Sequence, residues 1–159
     1  MSVFPIDFEP KKSYFCILMR SGRFYVACLV SAGLMYLLFY LFHGILTNDI
    51  LKSSIPTTFF LSVAAFVYLA IGFAMSILLD AAFFKKEVKS IYTRALIAGP
   101  VIAIFLYSVA MVVGLSFSAR FTVINLLVDL GWQIVEQTVG AIVVAFVKVI
   151  TFSPDEIEV

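Results

Sequence analysis

Four stretches of this chain, Phe24 to Leu46, Ile55 to Phe84, Ala95 to Phe117 and Val123 to Phe152, are apolar over a length that matches the thickness of a lipid bilayer. An α-helix rises 1.5 Å per residue, so about 20 apolar residues cross the hydrocarbon core. Backbone groups in that core must bond within their own segment or close into a barrel, and runs this long are helices. Composition points the same way. The chain is 63% hydrophobic and 13% charged, whereas soluble domains run about 45–50% apolar and about 25% charged. The first run is too long for a signal-peptide core and has no small-x-small cleavage site, so it reads as a retained helix. The expected fold is therefore an all-α membrane protein with four transmembrane helices.

The basic residues set an expected orientation. Lys11, Lys12, Arg20 and Arg23 precede the first span, and Lys85, Lys86, Lys89 and Arg94 lie between the second and third. The opposite side holds only Lys52 and Arg120. By the positive-inside rule both termini are cytoplasmic. Short connections make neighbouring helices antiparallel in a bundle. Three parts follow: a cytoplasmic extended or interfacial segment over 1–23, a four-helix transmembrane domain over 24–152, and an acidic cytoplasmic tail over 153–159. Phe4, Ile6 and Phe8 alternate with Pro5, Asp7 and Glu9 at one end, and Asp155, Glu156 and Glu158 charge the other. Both ends read as docking segments for a cytosolic protein partner. Compact loops suggest a bacterial inner membrane.

Helices in lipid associate through small residues and hydrogen bonds, because acyl chains are as apolar as leucine. Gly72 and Ser76 in the second span, and Gly99, Ala103, Ala110 and Gly114 in the third, have small-xxx-small spacing. Close packing of the second span on the third is expected along them. Gly99-Pro100 is expected in the first turns of the third helix, where proline costs least. Aromatic residues near the span ends read as interfacial belts.

Several chemistries are not signalled. Cys16 and Cys28 have no disulfide or metal-site spacing, and no cofactor or metal site is expected. The basic residues flank apolar runs rather than cluster on a solvated face, so direct nucleic-acid binding is not expected. His43 is the sole histidine. Neither a His-Glu-x-x-His zinc pair nor a Gly-x-Ser-x-Gly elbow is present, so no enzyme is expected.

The fourth span is the exception to apolar monotony. Asn125, Asp129, Gln133 and Gln137 advance by four, with Glu136 seven after Asp129, and form one polar stripe. The stripe continues past Gly140 as Val143, Val144 and Val147 to Lys148. A central Asp facing acyl chains costs about 2.5–3.5 kcal/mol. The other three spans carry no Lys or Arg in their central turns. The expectation is a homo-oligomer in which copies of the fourth helix meet around a symmetry axis, with the stripe shared between subunits.

Three functions fit this reading. A membrane scaffold or sensor would assemble through the stripe and dock a cytosolic partner. In span count and layout the chain is similar to the small four-helix membrane subunits that bacterial phage-defence operons pair with a soluble effector. A cation-conducting pore would use acidic outer rings and an apolar Val143, Val144 and Val147 gate. A colicin-immunity-like inhibitor would offer the stripe to a foreign helix.

Overall fold

The computed structural model of the chain describes residues 22–47, 56–117 and 122–151, and side chains among them except at 23 and 113–117. These residues are helical, with no strand among them. Helix α1 (Gly22–Phe39) runs on into a π-helical stretch, Tyr40–Leu46. It is followed by α2 (Thr57–Asp80), the short α3 (Ala82–Glu87), α4 (Ile91–Phe117) and α5 (Val123–Thr151). Four helices are long and apolar enough to cross a membrane: α1 with its π-helical stretch, α2, α4 and α5.

The helix starts have local causes. Ser90 opens α4, its hydroxyl accepting from the Thr93 N–H at 3.4 Å and its carbonyl from the Arg94 N–H at 3.0 Å. Thr122 opens α5 in the same way, towards Asn125 and Leu126. Both supply partners for N–H groups that a helix start leaves unpaired. Because α4 begins at Ile91, Pro100 is an interior residue and not part of the first turns. The second apolar run also differs from expectation. Ala81 adopts an extended conformation and separates α2 from α3, although no glycine or proline falls near it.

Cross-helix pairs fix the directions of the bundle. Phe24 meets Phe73, Tyr36 meets Tyr68 and Phe39 meets Phe60, so α1 and α2 are antiparallel. Ser31 bonds to Gly140 while Phe42 stacks on Trp132, which makes α1 and α5 antiparallel. Gly99 faces Thr138, and the Tyr107 hydroxyl donates to the Leu126 carbonyl at 2.7 Å, so α4 and α5 are antiparallel too.

The inward faces repeat at three and four residues, as one face of a helix requires. On α1 they are Phe24, Ala27, Cys28, Ser31, Ala32 and Met35. On α5 they are Glu136, Gln137, Gly140, Ala141, Val144, Ala145 and Lys148. Much of the shared interior is alanine and glycine, which lets the backbones approach closely.

The small residues pack against other helices than the sequence suggested. Gly72 lies against α1, where an added Cβ would stand 2.8 Å from the Cys28 carbonyl oxygen. Gly99 lies against α5, where an added Cβ would stand 2.5 Å from the Thr138 Cα. Ser76 and Ala103 are buried, Ala110 is exposed, and the side-chain position of 114 lies outside the described residues. Thus α2 packs chiefly on α1, and α4 on α5, with only slight contact between α2 and α4. The correction has a simple cause: small-xxx-small spacing marks a close-approach face without naming the helix that fills it.

Two glycines separate close packing from helix propensity. Gly99→Ala should lower stability by about 1–3 kcal/mol, because Thr138 backbone must move. Gly131 has nothing within 4 Å of an added Cβ, so Gly131→Ala should raise stability by up to about 1 kcal/mol. Thermal midpoints of the purified protein in one detergent compare the two directly.

Candidate functional site

Polar side chains gather inside the bundle at two levels. The first is at the end where α2 gives way to α3. Asp80 is the last residue of α2, and the Lys148 ammonium of α5 reaches it. Lys148 Nζ donates to Asp80 Oδ2 and, at 2.8 Å, to the Ser76 carbonyl oxygen. It also lies 5.7 Å from the centroid of the Phe24 ring, within cation–π range. Only 2% of the Lys148 side chain and 9% of the Asp80 side chain are exposed. Exposed Lys85 stands 3.9 Å from the other Asp80 oxygen.

Arg94 completes this level from α4, its Nη1 donating to the Leu79 carbonyl oxygen. That carbonyl belongs to the final turn of α2, which has no following helical N–H to bond. Cations at a helix C-terminus also meet the negative end of its dipole. Two buried cations from α4 and α5 thus close the end of α2. By sequence Arg94 falls in a basic connection and no buried cation is expected in the bundle; the structure buries both Arg94 and Lys148.

The second level is near the middle of α5. Glu136 and Gln137 are fully buried. The Gln137 amide Nε2 is 3.4 Å from Glu136 Oε1, and Tyr68 and Trp132 both lie beside the Glu136 carboxyl. Trp132 Nε1, Glu136 Oε2 and Gln137 Oε1 are buried without reaching hydrogen-bond geometry to any described group. One turn further along α5, the Ser31 hydroxyl donates to the Gly140 carbonyl at 2.9 Å, and the Met35 thioether rests against Gly140. The Trp132 ring stacks on Phe42, centroids 4.4 Å apart and planes within 9°.

The fourth-span stripe therefore divides. Asn125 is exposed, and Asp129, Gln133, Val143 and Val147 are half-buried. Glu136, Gln137 and Gly140 are enclosed by their own bundle. Their expected place between subunits, argued from a lack of partners within one chain, is corrected by Tyr68, Met35, Ser31 and Trp132 around them. A shared-axis ring of Glu136 carboxylates, and the cation pore built on it, loses that inner member. The terminal docking residues Phe4, Ile6, Phe8, Asp155, Glu156 and Glu158 lie outside the described residues.

Two features escaped the sequence reading. Tyr36, Phe39, Phe42, Phe60, Tyr68 and Trp132 pack ring against ring between helices, where an interfacial belt was expected. The Lys148–Asp80 pair was the other, and it had a signal. Even-numbered spans run in the same direction, so opposite charges at both their ends fall at one level.

Removing one member of the buried pair tests its weight. Lys148→Met should cost up to about 3–5 kcal/mol, because the Asp80 carboxylate keeps only exposed Lys85 at 3.9 Å and the nearby charge of Arg94. Adding Asp80→Asn should recover part of that loss. A double-mutant cycle on unfolding midpoints measures the coupling, and simple additivity would count against it. No family model, curated protein or solved structure matches the chain.

Proposed function

We propose that the chain is a non-enzymatic membrane subunit that works by association, as a scaffold or sensor that self-assembles through α5 and docks a cytosolic protein. The supporting observation is the division of the polar stripe. Glu136 and Gln137 turn into the bundle, while Asn125 is exposed and Gln133 half-exposed on the outer half of the same helix. Polar groups facing acyl chains are costly, and a second copy of α5 can cover them with interhelical hydrogen bonds.

The positive-inside rule, applied to the basic residues of 82–94 and of the first span's flank, puts both termini in the cytoplasm. A bacterial inner membrane suits the short connections. The sensor reading rests on coupling: Lys148 and Arg94 join α4 and α5 to the end of α2, so displacement of one helix is felt beside exposed Lys85, Lys86 and Lys89. Such a subunit has the layout of those paired with soluble effectors in phage-defence operons.

Native mass spectrometry of the detergent-purified protein tests the assembly. Wild type should give one defined oligomer, Asn125→Leu/Gln133→Leu should shift it to monomer, and Glu136→Gln should leave it intact. A monomeric wild type would remove self-association from the proposal.

A further inference from the structure

The middle level contains an incomplete set of hydrogen bonds at an ionisable group. Glu136 Oε2 and Gln137 Oε1 are acceptors on adjacent, fully buried residues, and neither reaches hydrogen-bond geometry to a described group, although Tyr68 and Trp132 lie beside the carboxyl. Buried polar atoms nearly always find one, and a carboxylate buried away from any cation is costly. Among the described residues no basic side chain forms an ion pair with Glu136. Lys148 is twelve positions along α5, about 18 Å by helix rise, and is held by Asp80.

The site's chemistry narrows what could complete it. Two unpaired oxygens face one unpaired donor, Trp132 Nε1, so at least one acceptor is left for a cation. A single carboxyl supplies one unit of negative charge. No group of three or more His, Cys, Asp or Glu side chains suited to a metal ion occurs among the described residues, which argues against a divalent ion. Tyr68 beside the carboxyl offers a third oxygen. We propose that Glu136 and Gln137 form an internal binding site for a small monovalent cation, an alkali ion or a proton.

The site's surroundings are largely apolar. Tyr68 comes from α2, and Tyr36 from α1 packs on Tyr68. Met35 also comes from α1, and α4 contributes Ile102 and Leu106 to the same cluster. Asp129 is two turns away on α5 itself, while Cys28, Asp80 and Lys148 belong to the level at the α2 end. Trp132, the one tryptophan in the chain, stands beside the Glu136 carboxyl and reports on its occupancy. The site lies within a single bundle and is independent of self-association through α5.

The test uses full-length protein in detergent, with thermal midpoint and Trp132 emission as readouts. Sodium or potassium chloride replaces choline chloride at constant ionic strength, and a separate series in choline chloride runs from about pH 8 to about pH 5. A cation bound only by the folded state raises the midpoint with its concentration. Wild type is expected to respond saturably to one of them, and Glu136→Gln to lose that response. An alkali-ion response identifies a metal ion, and a response to pH alone identifies a proton. Gln137→Leu, which keeps the carboxyl, should raise the half-maximal cation concentration about tenfold through loss of one charge-assisted contact. The proposal is overturned if wild type responds to neither, or if Glu136→Gln responds as wild type does. Should Glu136→Gln fail to fold, an unshifted response in Gln137→Leu overturns it instead.

Discussion

The Lys148 ammonium has to find all its partners inside the protein, and much of the bundle is arranged around that need. Acyl chains offer no hydrogen bonds, so a buried cation in this setting is tolerated only where oxygen and negative charge are already in place. Lys148 finds the Ser76 carbonyl and the Asp80 carboxylate on α2 and the Phe24 ring on α1. One side chain thereby ties α5 to two neighbours. Arg94 ties α4 to the same end of α2 through Leu79. The register of α5 follows from this anchor: Gly140 comes opposite Ser31 and Met35, and Glu136 comes beside Tyr68.

Close approach of the backbones makes those contacts reachable. Gly72 against Cys28 and Gly99 against Thr138 leave no space for a Cβ, and Ala27, Ala95, Ala98, Ala141 and Ala145 line the core beside Lys148's end. Dispersion across such faces, with a few interhelical hydrogen bonds, replaces the water-driven burial that holds soluble bundles. The far end relies instead on packed rings from α1 with its π-helical stretch, α2 and α5, with Trp132 flat against Phe42. Polar anchoring at one end and aromatic packing at the other leave Glu136 and Gln137 between them, enclosed but incompletely bonded. That combination is what makes the middle of α5 the candidate for a bound cation.

Much of the architecture is legible in the sequence, and each departure from it has its own physical cause. The spans were legible because a bilayer imposes a fixed length of apolar sequence. The capping by Ser90 and Thr122 emerged only with the helix starts in place. The break at Ala81 has no sequence signal, because Ile77 to Glu87 contains no glycine or proline; α2 ends where Arg94 takes the Leu79 carbonyl and Lys148 meets the Asp80 carboxylate. Pro100 was placed too near a helix start because Ile91 to Arg94 looked like a loop. Glu136 and Gln137 stand out in sequence as polar groups in an apolar span, but a stripe on one helix does not say whether its partners belong to the same chain.

The amino-acid sequence already specifies four helices long and apolar enough to cross a membrane, because apolar length and backbone hydrogen bonding leave a lipid-embedded chain few other forms. It also determined that α5 is the helix with polar business to conduct. Tertiary structure alone decided which helix fills each small-residue face, where α2 stops, and that Asn125 faces out while Glu136 faces in. Those choices depend on residues far apart in the chain, 109 positions in the case of Ser31 and Gly140. Helical periodicity assigns a residue to a face, and only packing assigns that face a neighbour.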